Sequence, residues 1–167
     1  MRFTSDSIWK TLFLHIKKLD MKKLIILLLS AICMYSANAQ KYNKQYIKDA
    51  SVIAEVWLND INNNNYESAY NSLTSKTKAN YIKEEWISFL RELMLEFGEF
   101  QERKIESSIF QNGIEGLEDG FYIIIEYNSN YKNTVNHEEY ILVKQNDKLK
   151  WEIESFNYKF MKIDGSK

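Results

Sequence analysis

From residue 46 to residue 61 the chain reads YIKDASVIAEVWLNDI, with Ile47, Ala50, Ala54, Trp57, Leu58 and Ile61 returning every three or four positions. That spacing predicts an amphipathic helix with one apolar face. Asn62-Asn63-Asn64-Asn65 follows, and asparagine side chains compete for their own backbone, so a turn is expected there. YESAYNSL predicts a short second helix burying Ala69, Tyr70 and Leu73. KEEWISFLRELMLEFG predicts a longer one with Trp86, Phe89, Leu90, Leu93 and Phe97 inward, stopped by Gly98. Beyond Gly98 the period drops to two. FQERKIESSIF, FYIIIEYNSNY, EEYILVKQ and KLKWEIESFNYKF read as four strands, separated by NGIEGLEDG, NTVN and ND turns. In the last strand Trp151 and Ile153 share one parity while Phe156, Tyr158 and Phe160 share the other. A bulge near Glu154-Ser155 would return those aromatics to the core side. Helices first and an antiparallel meander afterwards make an α+β fold, its helices packed on one face of a four-stranded antiparallel sheet.

The pattern ahead of the first helix is of another kind. MKKLIILLLSAICMYSANAQ starts at Met21, with Lys22 and Lys23 before an apolar run over residues 24–35 and small residues at Ala37 and Ala39. A positive segment, a short apolar core and a small-residue cleavage site in that order predict a secretory signal over residues 21–39, cleaved between Ala39 and Gln40. The run is too short for a membrane span, which needs about 20 apolar residues. Ile32 stands where a lipoprotein signal needs a small residue before Cys33. Residues 1–20 are then expected to be an upstream extension from a start called too early, and residues 40–167 a single domain. The expected location is the periplasm or the extracellular space, with no stable membrane span after cleavage.

Composition narrows the partners. The chain holds 22 Lys+Arg against 23 Asp+Glu. Residues 1–39 contain six of the bases and two of the acids, so residues 40–167 keep 16 bases and 21 acids, a net charge of −5. That balance argues against nucleic acid, whose phosphates call for clustered bases, and gives no basic stripe for anionic lipid. Cys33, the one cysteine, falls inside the signal. The remaining domain then has no disulfide, thiol nucleophile or thiolate metal site, and its stability must come from an apolar core. Aromatic residues, 14% of the chain, can supply one.

The strings AEVWLNDINNNNYESAY, EEWISFLREL, FGEFQERK, EDGFYIIIEY and the closing WEIESF resemble the bacterial family called domain of unknown function 4019. The resemblance rests on Trp57, Tyr66, Trp86, Arg91, Gly98, Arg103, Asp119-Gly120, Tyr122 and Trp151, and covers about residues 48 to 160. It implies a cone-like fold similar to the nuclear transport factor 2-like and cystatin-like groups, with helices in the concavity of a curved sheet. The family carries no established activity. Ile82 departs from the polar cap expected ahead of Lys83-Glu84-Glu85-Trp86.

Candidate chemistry is sparse. His137-Glu138-Glu139 is the one histidine motif of residues 40–167, too few ligands for a metal, and reads as a solvated turn. Arg91 and Arg103 are the only arginines there. Their planar forks suit either an anion pocket at one end of the concavity or ion pairs with a nearby glutamate such as Glu92, Glu96, Glu99 or Glu126, the pair being favoured. Glu126, Tyr127 and Tyr140 fall on strands among apolar residues, where a carboxylate beside a tyrosine can act as a general base. No glycine-rich phosphate loop, serine elbow or acidic metal loop occurs, and no cofactor is implied. The favoured function is an exported, non-enzymatic domain that binds a small ligand or a protein partner. The alternatives are an acid–base isomerase or hydrolase using a strand carboxylate, and an assembly protein acting through an exposed sheet face.

Overall fold

A computed structural model describes residues 21–163, so the expected upstream extension lies outside the described residues. Helix α1 (Met21–Asn62) runs without a break through Ala39 and Gln40. The chain divides into two compact units, the second of which begins at Asn43 and holds all of the remaining elements. Within it follow α2 (Tyr66–Asn71), α3 (Ser75–Ala79), α4 (Lys83–Phe97), β1 (Phe100–Asn112), β2 (Phe121–Tyr131), β3 (Thr134–Gln145) and β4 (Trp151–Lys162). The strands pair in sequence order, all antiparallel, in an open sheet. This is the α+β arrangement that the two periodicities predict. No helix among the described residues is long and apolar enough to cross a membrane.

The core lies between the helices and one sheet face. Ala50, Ala54, Trp57, Leu58 and Ile61 of α1 are buried, and each large member contributes about 1.5–3 kcal/mol by leaving water. They meet Ile123, Ile125 and Tyr127 of β2, Ile141 and Val143 of β3, and Ile153 of β4. Trp57 packs edge-on against Phe156, with 5.3 Å between ring centroids, and its Nε1 donates to the Ala69 carbonyl at 2.9 Å. A buried indole N–H is thereby satisfied, and α2 is tied to α1. The expected bulge is present: Val143 pairs with Ile153 and Leu142 with Ser155, leaving Glu154 as the extra residue. Phe156, Tyr158 and Phe160 consequently pack against the core from the parity opposite to Trp151 and Ile153.

Helix α4 ends against the β2–β3 hairpin. Asn133 N donates to the Phe97 carbonyl at 3.0 Å, capping an acceptor that the helix end leaves open, and Lys132 N donates to the Glu99 carbonyl at 2.9 Å just beyond the helix. Gly98 sits at φ 80, and a Cβ there would lie 2.7 Å from the Asn133 side chain. Conformation and space both demand glycine at this stop.

Two expectations need correction, and one short helix was not foreseen. The NTVN segment is not a turn: the hairpin closes over Lys132-Asn133 and β3 already starts at Thr134. Phe89 does not face inward but is 56% exposed, while Ile87 and Met94 pack on the core instead. Helix α3 carries no apolar face that could announce it; Thr74 caps it by accepting from Thr77 N at 3.2 Å.

The α4 start bears out the departure seen in the sequence. Ile82 occupies the N-cap with an extended backbone and no side-chain cap, yet α4 forms because its apolar face is held by the core. Ile82 is itself exposed, so Ile82→Ser adds a cap without opening the core and places Glu85 three residues on, completing a reciprocal capping pair. The substitution is expected to stabilise the domain by about 1 kcal/mol. An unchanged or lowered midpoint in urea would contradict this account of the helix start.

Candidate functional site

Strand alternation decides which polar side chains go under the sheet. On β2 the inward residues are Ile123, Ile125, Tyr127, Ser129 and Tyr131; on β3 they are His137, Glu139, Ile141 and Val143. Arg103 of β1 is in register with Ser129, and Ser129 with His137, so three neighbouring strands deliver polar groups to one place. There Arg103, its side chain 9% exposed, forms a two-pronged ion pair with Glu139, which is wholly buried. Nε lies 2.5 Å from Oε2 and Nη2 lies 3.0 Å from Oε1. Ser129 Oγ donates to Oε2 at 2.5 Å, and Tyr131 OH donates to Oε1 at 2.8 Å while accepting from Arg103 Nη2 at 2.7 Å. Both carboxylate oxygens are therefore occupied twice. The guanidinium also lies 4.7 Å from the Phe100 ring centroid and 5.8 Å from that of Tyr127.

The electrostatics follow from these contacts. Burial works to raise the Glu139 carboxyl, but the hydrogen bonds and charge of Arg103, aided by Ser129 and Tyr131, hold it below the ordinary carboxylate range. Burial raises the Tyr131 and Tyr127 phenols, so neither ionises near neutrality. His137 is buried, stacked on Phe160 and edge-on to Phe97; its Nδ1 is 3.0 Å from Thr134 Oγ1. Burial pushes its imidazole down, and Arg103 adds to that effect against the opposing pull of Glu139. His137-Glu138-Glu139 is thus no solvated turn. His137 and Glu139 are core residues of β3, and Glu138 lies on the other face, as alternation requires.

The remaining candidates separate. Arg103 is half of an ion pair, as favoured, and its partner is Glu139, a glutamate outside the examples Glu92, Glu96, Glu99 and Glu126. Arg91 is exposed, makes no ion pair among the described residues, and sits 5.7 Å from the Tyr66 ring centroid. It lines a hollow of about 500 Å³, and Arg103 one of about 410 Å³; the two share Asn59 and Phe100 as walls. Glu126 and Tyr127 lie on opposite faces of β2, so they do not form one site. Glu126 accepts from Ser107 Oγ at 3.2 Å on the face away from the helices, across from Tyr140. The Tyr140 phenol is pushed up to about 12, chiefly by donating to Glu138 at 2.7 Å. Among the described residues no cluster of His, Cys, Asp and Glu could hold a metal ion.

A larger feature was not read from the sequence. Between α4 and the outer edge of β4 runs a groove of about 720 Å³, bounded by Tyr81, Trp86, Phe89, Phe156 and Tyr158 and floored by Trp57. Tyr81 and Phe89 are 54% and 56% exposed. Two acids, Glu85 and Glu154, and no base line it.

Residues 53–156 match the profile of a family described as "Protein of unknown function (DUF4019)". The chain belongs to that family. No match exists among curated proteins or among solved structures. The matched span covers the Arg103–Glu139 pair and the DUF4019 groove apart from Asn157 and Tyr158 at its end, so neither is an appendage to the family's domain.

Two measurements follow. Replacing Arg103 by alanine leaves a buried carboxylate without its partner, and a loss of about 3–5 kcal/mol is expected. Phosphate or carboxylate anions should not restore it; a variant as stable as the parent, in a parent that anions stabilise, contradicts the structural role. Acid should act in two stages. His137 refuses a proton in the fold that the unfolded chain accepts, so stability falls below about pH 6.5. Glu139, whose folded value is depressed, contributes stability that is complete above the ordinary carboxylate range and is lost as pH falls through its folded value. In melting temperature against pH, His137→Leu should remove the upper stage only. A parent curve flat between about pH 7 and about pH 5 would refute the buried neutral imidazole.

Proposed function

We propose that this chain is an exported, non-catalytic binding domain whose ligand sits in the groove between α4 and β4. The groove carries the reading. Its volume falls within the range of about 300–1,000 Å³ usual for ligand sites, and its walls combine aromatic faces with a few polar groups. Phe89 and Tyr81 leave apolar surface in water, a cost without return unless something covers them.

Acid–base chemistry finds less support. The one glutamate held deep under the sheet beside tyrosines is Glu139, and its ionised oxygens are saturated by Arg103, Ser129 and Tyr131. Such a carboxylate is a weak base without a free lone pair to offer. Glu126 lies on the opposite face, beside Ser107. The concavity itself is filled by Trp57, Phe97, Tyr127, Tyr131, Phe156, Tyr158 and Phe160. An assembly role through the outer sheet face would need a broad apolar patch there. Ile109, Ile124 and Leu142 form one row of it, and the next row is Ser107, Glu126, Tyr140 and Asn157.

Export is argued from the segment at Met21 and from the unit boundary. Cleavage after Ala39 would leave the sheet-bearing unit, which begins at Asn43, entire. Native mass spectrometry of protein taken from its source tests both parts. The expected N-terminus is Gln40, and the expected species carries a bound ligand that Phe89→Glu retains at least about tenfold less well, as a central contact would. A mature N-terminus upstream of Met21 would sink the export reading. Equal retention by parent and Phe89→Glu would sink the groove.

A further inference from the structure

We propose that the occupant of this groove is an extended basic peptide that adds to the free edge of β4 as a fifth strand, an inference that rests on the groove reading above. The sheet order places β4 at an edge. The chain itself occupies the beginning of that edge. Ile153 N donates to the Ser72 carbonyl and Thr74 N donates to the Ile153 carbonyl, both at 2.9 Å, in a parallel bridge between Leu73 and Ile153. The added strand stops there. Thr74 turns away to cap α3, and Thr77 Oγ1 closes the Glu154 carbonyl at 2.7 Å. Over residues 155–162, β4 pairs with β3 alone among the described residues, and its outer backbone groups meet no further strand. Such an edge is a template for another chain.

Edge and groove are one feature, since residues 154–158 of β4 form a wall of the groove. A strand continuing the line begun at Leu73 would direct every second side chain toward Trp86, Tyr81 and Phe89, and the others away. Backbone bonding then supplies affinity and the aromatic wall supplies selectivity. Charge sets the sign of the partner. Glu85 is exposed at the groove, whereas Glu154 is buried with its carboxylate accepting from Thr74 Oγ1 at 2.8 Å, so the charge is set by Glu85 and by a lining that holds no base. The bases farther along β4 are already engaged, Lys162 with Glu96 at 2.9 Å and Lys159 with Glu138 at 3.9 Å. A peptide alternating apolar and basic residues therefore fits better than an acidic one. Edge-to-edge pairing of two copies fits worse, because it must accommodate the twist of the Glu154 bulge in both copies.

The probe is a blocked octapeptide pool in which lysine alternates with phenylalanine, tyrosine, leucine or valine, titrated into the intact protein by calorimetry. Two further pools carry backbone N-methyl groups on one alternate set of nitrogens or on the other. Strand addition uses only one of the sets. One methylated pool should bind about tenfold more weakly, as the loss of a few strand hydrogen bonds implies, while the other stays close to the parent pool. Phe89→Glu should weaken the parent pool by a similar factor, and a pool with glutamate in place of lysine should not bind. Equal binding of both methylated pools overturns strand addition but leaves the groove as the site. No peptide binding, with neutral oligosaccharides quenching the tryptophan fluorescence of the parent but not of Phe89→Glu, overturns the peptide class alone. No binding by any pool or sugar overturns the proposal outright. So does a dimer in sedimentation that Phe89→Glu dissociates, which would make a second copy the occupant.

Discussion

The ion pair between Arg103 and Glu139 is the contact on which the rest of the sheet depends. Two charges beneath a sheet are costly unless each finds a partner and every remaining oxygen accepts a hydrogen bond. Here β1 supplies Arg103, β2 supplies Ser129 and Tyr131, and β3 supplies Glu139, so the requirement ties three strands to the observed register. A slip of one residue along β3 would carry Glu139, Ile141 and Val143 to the other face and bring Glu138, Tyr140 and Leu142 inward. The same register places Ile141 and Val143 on the core. The reach extends to the helices, because Tyr131 OH lies 3.4 Å from Asn62 Oδ1 at the end of α1 and its ring packs on Phe97 at the end of α4. A polar cluster of this kind specifies an arrangement more than it adds stability.

The saturation of its carboxylate is also why chemistry is better sought elsewhere. The cluster gathers a carboxylate, a guanidinium, two tyrosines and a histidine, the groups from which an active site is assembled. Each is committed by its contacts or its burial to a fixed protonation state near neutrality. The aromatic groove has the opposite character, with apolar surface left in water and a strand edge left without a neighbour. In a domain that packs rings between its helices and its sheet, unsatisfied surface is the feature that points outward to a ligand.

The elements were legible because their periods are clean: Ala50, Ala54 and Ile61 repeat as a helix, and FYIIIEYNSNY coincides with β2. The bulge at Glu154 was legible from the parity change between Ile153 and Phe156. The partner of Arg103 was not, although the signal was present. His137, Glu139, Ile141 and Val143 share a parity, and reading His137-Glu138-Glu139 as a turn broke the alternation that carries both polar residues into the core. Phe89 was misplaced because a helix face is about 100° wide, and Ile87 and Met94 took the inward arc. The groove could not be seen at all, since it joins Tyr81 to Tyr158 and exists only after α4 lies beside β4.

A double-mutant cycle on the buried pair tests the central claim most directly. Arg103→Met alone and Glu139→Leu alone each strand one charge under the sheet, whereas the double substitution replaces the pair with apolar groups of similar volume. Urea denaturation of the four proteins should show both single variants strongly destabilised and the double variant recovering most of the loss, a coupling of about 2 kcal/mol or more. Additive losses, with the double variant as weak as the sum of the singles, would contradict the account: Arg103 and Glu139 would then act independently, and the sheet would owe its register to something else.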